Sequence, residues 1–307
     1  MLNEPKLNPY IALAIGVISV STSAIMVKFS SAPSGIIAFY RILFSVLLML
    51  PVFVFKYKHE LKSIGKKDWI LTAISGVFLA LHFILWFESL NYTSVASSTV
   101  LVTLQPLFAF VGVYLFFKEK ITGKAILSGL LAIAGSVIIS WGDFKLSGMA
   151  LWGDILALIA CALVTAYLLF GQNVRKRLSL VTYTFLVYGI SAFSLFVYVL
   201  IMKEPLGPYP AGDWVCFILL AIFPTLLGHT LFNWSLKWLS TTTISMAILF
   251  EPVGAAILAY YLLDENLIWT QIVGGIIVMI GISIFLLDER KAKQIAKQQN
   301  NIIKNSA

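Results

Sequence analysis

Ten stretches of this chain, each roughly 18 to 23 residues long and nearly free of charge, constrain its fold more than any other feature. A helix rises about 1.5 Å per residue, so such a stretch covers the roughly 30 Å of hydrocarbon in a bilayer. With 60% of its residues hydrophobic and 12% charged, the chain carries about half the charge of a water-soluble domain. The predicted class is an all-α membrane protein of ten transmembrane helices. They are Tyr10 to Val27, Gly35 to Phe55, Trp69 to Leu90, Val95 to Phe117, Ala125 to Ser140, Leu151 to Gly171, Thr182 to Met202, Trp214 to Trp234, Thr242 to Leu263 and Trp269 to Leu287. The first, which follows Lys6, is read as an uncleaved span rather than a signal peptide, because its apolar run is too long. Trp69, Trp141, Trp152, Trp214, Trp238 and Trp269 lie at block edges, where an amphipathic ring prefers the headgroup layer.

Charge sets the expected orientation. Of the loop and terminal Lys and Arg residues, eighteen fall on the side of the N-terminus, and only Lys28, Lys145 and Lys203 fall on the other. Positive loops stay in the cytoplasm, so both termini are predicted there, in a multi-pass protein of the cytoplasmic membrane. The net charge of +8 is spread in short clusters between apolar blocks, which orients helices and does not suggest nucleic acid. Cys161 and Cys216 have no Cys or His at ligand spacing and read as core residues, so neither a metal nor a cofactor is expected. The chain has no Walker-type glycine loop, HExxH or GxSxG, which disfavours an ATP-driven pump, a zinc protease and a serine hydrolase.

Sliding the chain by 146 positions lays Pro106 on Pro252, and with it Ser89 on Ser235, Ser94 on Ser240, Tyr114 on Tyr260, Glu119 on Glu265, Gly129 on Gly275 and Gly135 on Gly281. The expected domains are a first five-helix repeat over residues 10–140, a second over 151–287 and a basic tail over 288–307. An odd number of spans per half inverts the second half relative to the first, as in transporters built from inverted repeats.

A helix with a central proline, an acidic residue at its end and a glycine-spaced helix after it occurs as Gln105-Pro106, Glu119, Gly129, Gly135 and again as Glu251-Pro252, Glu265, Gly275, Gly281. This doubled pattern, across Tyr10 to Leu287, resembles the EamA family of the drug/metabolite transporter superfamily. The resemblance implies ten helices around a central cavity and transport of a small metabolite, often efflux, with no particular substrate.

Glu251 is the first candidate. It lies about ten residues into its span, roughly 15 Å deep, where a carboxylate is costly unless it faces a cavity or a partner. Pro252 cannot donate to the carbonyl of Ile248, and Pro106 breaks its own helix likewise. The repeat mate of Glu251 is Gln105. The rows Ser97, Leu101, Gln105 and Thr243, Ala247, Glu251 are expected to face one centre, neutral on one side and acidic on the other. Thr72, Ser75, His82, Trp86 and Ser89 form a stripe on the third span, and Thr225, His229 and Asn233 one on the eighth. Each His is read either as a group sharing a proton with Glu251 or as one satisfied by neighbouring backbone, and Trp86 as cavity wall or packing. Ser23, Thr165 and Tyr167 are assigned to the cavity as polar residues of matching spans. Arg41 and Lys28 are read either as attracting anionic cargo or as snorkelling to the headgroups or satisfying local carbonyls. Glu88, Asp143, Asp154, Asp264 and Glu265 fall at interfaces, and Glu119 and Glu265 suit a helix-end or gate contact. Small residues at Ser128, Ala132, Ser136 and Ser140, and at Gly274 and Gly281, make packing seams between helices or between the protomers of a homodimer.

The expectation is a secondary transporter, its partners a small-molecule substrate, the lipid bilayer and a coupling proton. The competing class is a membrane-embedded enzyme acting on a lipid or small molecule, which an inverted duplicate disfavours.

Overall fold

The computed structural model describes residues 7–118, 121–139, 141, 148–262 and 269–305. The expected roles of Glu119, Asp143, Asp264 and Glu265, and the ends of the spans at Ser140 and Leu263, lie outside these residues. All secondary structure among them is helical. In order, the helices are α1 (Pro9–Val20), α2 (Ser23–Phe29), α3 (Ser34–Val52), α4 (Lys66–Ser89), α5 (Val95–Thr103), α6 (Gln105–Phe117), α7 (Gly123–Ile139), α8 (Gly148–Val174), α9 (Leu180–Met202), α10 (Ala211–Leu220), α11 (Thr230–Ser235), α12 (Thr241–Ile248), α13 (Glu251–Leu262) and α14 (Trp269–Asn305). Among the described residues, successive helices join into nine stretches long and apolar enough to cross a membrane. The 17-residue α7, expected as the fifth span, falls short of that length among the described residues. Beyond Asp288 the basic tail continues as helix to Asn305.

Several spans are not straight rods. The first bends at Ser21 and Thr22, whose hydroxyls turn back onto the carbonyls of Val17 (2.9 Å) and Ser19 (2.8 Å). The fourth breaks at Leu104, just before Gln105-Pro106, and the ninth at Leu249 and Phe250, just before Glu251-Pro252. In both, the proline occupies the first turn of the following helix, where a missing N–H costs little. Between α10 and α11 the chain winds as a π-helix over Ala221–His229, around Pro224. Wide turns of this kind often mark functional sites. The Thr225 hydroxyl there donates to the carbonyl of Leu220 (2.9 Å), which occupies an acceptor near the proline.

Helices α7 and α14, the last of each half, pack along one another through the small-residue seam. The backbones come so close that a Cβ added at Gly281 would lie 2.8 Å from the nitrogen of Ala132 and the carbonyl oxygen of Ser128. Gly281→Ala therefore pushes two helices apart, and we expect a loss of about 1–3 kcal/mol by thermal melting in detergent. Gly189→Ala on α9, where an added Cβ meets nothing within 4 Å, should melt as the parent does or slightly higher. At the end of the last span, Thr122 donates to Asp288 (2.7 Å), while Thr243 (2.7 Å) and Tyr10 (3.2 Å) donate to Glu289. Trp69, Trp141, Trp152 and Trp269 are exposed, as block-edge residues should be.

Candidate functional site

The breaks in the first, fourth and ninth spans and the π-turn of the eighth surround one internal cavity. It is lined by Val20, Ser23, Arg41, His82, Trp86, Val102, Gln105, Val164, Leu168, His229, Phe232, Ile248 and Glu251. Six of the residues singled out in the sequence, Ser23, His82, Trp86, Gln105, His229 and Glu251, thus share one wall-to-wall space. The space is contracted: about 20 Å³ is open to water-sized centres, roughly the room of a single water. Anything larger requires the helices to part.

Breaking each helix just before its proline puts Gln105 and Glu251 at the start of α6 and α13, on the first turn after an interruption. The buried oxygen of Gln105 has no hydrogen-bond partner. Glu251 is 6% exposed and makes no hydrogen bond or ion pair among the described residues. His82 donates through Nδ1 to the carbonyl of Ala160 (3.0 Å), since a carbonyl can only accept, which leaves Nε2 as the ring's acceptor. Its ring lies 6.4 Å from that of His229 and stacks 5.8 Å from that of Trp86. His229 Nδ1 and the indole nitrogen of Trp86 are buried without partners. The cavity therefore holds both donors and acceptors that the protein leaves unused.

The structure overturns two of the readings of Arg41. It neither snorkels nor binds carbonyls: at 1% exposure it is among the most deeply buried large side chains in the protein. Its Nε donates to the hydroxyl of Thr225 (2.8 Å) and one terminal nitrogen to that of Ser23 (2.9 Å), and its guanidinium lies 4.2 Å from the centre of the Phe83 ring. The bend between α1 and α2 supplies Ser23, and the π-turn supplies Thr225. A signal was present: Arg41 lies seven residues into α3, about 10 Å along it, deeper than an easily snorkelling position. Lys28 behaves as expected and donates to the carbonyl of Leu90 (2.5 Å).

Five expected site residues lie elsewhere. Asn233 donates to the hydroxyl of Tyr167 and to the carbonyl of His229 (2.9 Å), so Asn233 and Tyr167 form a support behind the cavity instead of lining it. Thr165 donates to the carbonyl of Cys161 (2.8 Å) within its own helix. Ser97 and Thr243 each stand eight residues before the cavity residue of their row, about 12 Å away along a helix. Ser97 sits at the capped start of α5, and Thr243 binds Glu289. Only the last member of each row, Gln105 or Glu251, reaches the cavity, and each helix is interrupted just before it.

Residues 7–141 and again 151–287 match the EamA-like transporter family. The chain belongs to that family. Among similar proteins, an uncharacterized transporter of Archaeoglobus fulgidus is 22% identical over 89% of this chain and 94% of its own length. The uncharacterized transporter YxxF of Bacillus subtilis is 22% identical over 98% and 96%. The riboflavin transporter ImpX of Fusobacterium nucleatum is 22% identical over 80% and 86%. A solved crystal structure superposes with a TM-score of 0.74 over 92% of this chain and 98% of the other, at 15% identity, which attests the fold alone. This EamA family member is therefore a multi-pass membrane transporter, and its family and relatives speak against an enzyme.

Proposed function

We propose that this protein is a secondary transporter that carries a small, amino acid-like or drug-like metabolite out across the cytoplasmic membrane by alternating access. The observation that carries the reading is the cavity, where the broken fourth and ninth helices meet and where Glu251 and Gln105 stand at equivalent positions of the two halves. In this reading the halves are an inverted repeat of five spans each, with α7 completing the first half as its fifth span. Both termini face the cytoplasm, in keeping with eighteen Lys and Arg against three. Interrupted helices at the bilayer midplane present free backbone groups to a solute, and rocking one half against the other opens the cavity to each side in turn. Glu251 binds a proton or a cationic group there. Among the described residues it forms no ion pair, which leaves it free for that role.

Flux without chemistry is the test. Proteoliposomes are loaded with a mixed pool of amino acids, sugars, nucleosides, organic cations and riboflavin, and the outside medium is followed by mass spectrometry. At least one solute should leave faster than from protein-free liposomes, with its mass unchanged. A pool retained as in the empty liposomes, or a solute that appears with altered mass, would overturn the reading, the second in favour of an embedded enzyme.

A further inference from the structure

The cavity encloses two ionisable groups of opposite sign that do not pair. Arg41 and Glu251 both line it, yet among the described residues the one ion pair is between Arg177 and Asp68, at the surface. Separated charges in a low-dielectric interior are costly, and a direct salt bridge would relieve that cost. Arg41 is instead clamped by neutral groups, Ser23 and Thr225, over the face of Phe83. That clamp occupies Nε and one terminal nitrogen, and the other terminal nitrogen makes no hydrogen bond among the described residues. The guanidinium is held still, charged and incompletely used.

Two orphaned atoms add a direction. The amide oxygen of Gln105 is an acceptor without a donor, and the indole nitrogen of Trp86 is a donor without an acceptor, both buried and both on this cavity. Such atoms cost free energy unless something else satisfies them. A single ligand that satisfies all four groups must carry an anionic acceptor at one end and a cationic N–H donor at the other.

We infer that the cavity is a zwitterion site, which takes the carboxylate of a small amino acid-like substrate on Arg41 and its primary ammonium on Glu251 and Gln105. The indole N–H of Trp86 gives the carboxylate a second donor. Val102, Val164 and Leu168 offer the remainder of the molecule an apolar wall. A planar guanidinium suits a carboxylate better than a lysine would, because it donates two parallel bonds. A quaternary ammonium would leave the acceptor on Gln105 unsatisfied, so a primary amine is favoured over a betaine. This inference rests on the transport reading for its purpose, though its binding chemistry stands separately.

Thermal melting of the purified full-length protein against each of the twenty standard L-amino acids tests it, followed by the amide and the N-acetyl derivative of those that raise the melting temperature. At least one free amino acid should stabilise the protein. Blocking either end should weaken apparent binding by about tenfold or more, since each block removes a charge-assisted contact. Arg41→Lys should retain part of the response and Arg41→Gln should lose it. Should the second variant fail to fold, the two derivatives still decide the matter on the unaltered protein. If no amino acid stabilises it, or if an amide or N-acetyl form binds as well as its parent, the zwitterion site is wrong. A mixed pool that releases only solutes lacking one of the two charges would sink this inference and leave transport standing. An amino acid that binds but never moves would do the reverse.

Discussion

Glu251→Gln should slow flux of whichever solute the mixed pool identifies by about tenfold or more, and should flatten its dependence on pH. Glutamine fills nearly the same volume and keeps a hydrogen-bonding head, so the contracted cavity need not repack. What it loses is the charge. A hydrogen bond to a charged group contributes about 1.5–3 kcal/mol, and each 1.4 kcal/mol is a factor of ten in binding. In the parent protein only the ionised carboxylate attracts a cation, so flux should fall as pH drops through the titration of this group. In the variant nothing titrates at that position. Proteoliposomes assayed across pH 5 to 8 would show it. An unchanged rate with an unchanged pH profile would remove Glu251 from the mechanism, and Gln105 on the opposite half-site would become the first residue to examine.

The second large effect is on stability and lies outside the cavity. Arg175, just beyond the end of α8, is 2% exposed and forms no ion pair among the described residues. Its Nε donates to the carbonyl of Asn233 (2.8 Å) and a terminal nitrogen to that of Leu178 (2.5 Å), so one side chain ties α8 to α11 and closes the turn before α9. Burial lowers its pKa to about 10, which still leaves it charged at neutral pH. Arg175→Ala removes two charge-assisted bonds and strands two buried carbonyls. We expect a loss on the order of 3 kcal/mol. Arg175→Lys keeps the charge but lacks the fork, and should fall between the two. Melting curves of the three proteins in one detergent would measure this, and an alanine variant as stable as the parent would show that water replaces the guanidinium freely. Because Asn233 also holds Tyr167 and caps the carbonyl of His229, the alanine variant should loosen the support behind the cavity as well.

Much of the site was legible in the sequence, for a reason that shows in which residues were found. Glu251, Gln105, His82, His229, Trp86 and Ser23 are polar groups deep inside apolar runs, where lipid tolerates them only if they face an interior. Depth in a span can be counted, so they could be named. Where a side chain points cannot be counted once a helix bends. Ser97 and Thr243 were placed by extending a straight helix through Leu104 and Leu249, where the chain is interrupted. Asn233 was placed by its spacing from Thr225 and His229 and Tyr167 by polarity alone, and the Asn233 amide donates to the Tyr167 hydroxyl. Arg41 stayed open between readings because a cation in a span has two outcomes, reaching for the headgroups or finding neutral oxygens inside. The choice depends on Ser23 and Thr225, one near a bend and the other in a π-turn, both distant in sequence.

By itself the sequence determined that this is a membrane-spanning helical protein whose halves repeat at 146 residues, and that the repeat centres on two prolines. Those properties follow from length, charge and spacing, which are local and additive along the chain. Only the tertiary structure decided that the interrupted helices close on a single small cavity, and that Arg41 belongs to it across from Glu251. Contacts between residues nearly two hundred positions apart hold that arrangement, and no local pattern encodes which of two available partners a buried charge will take.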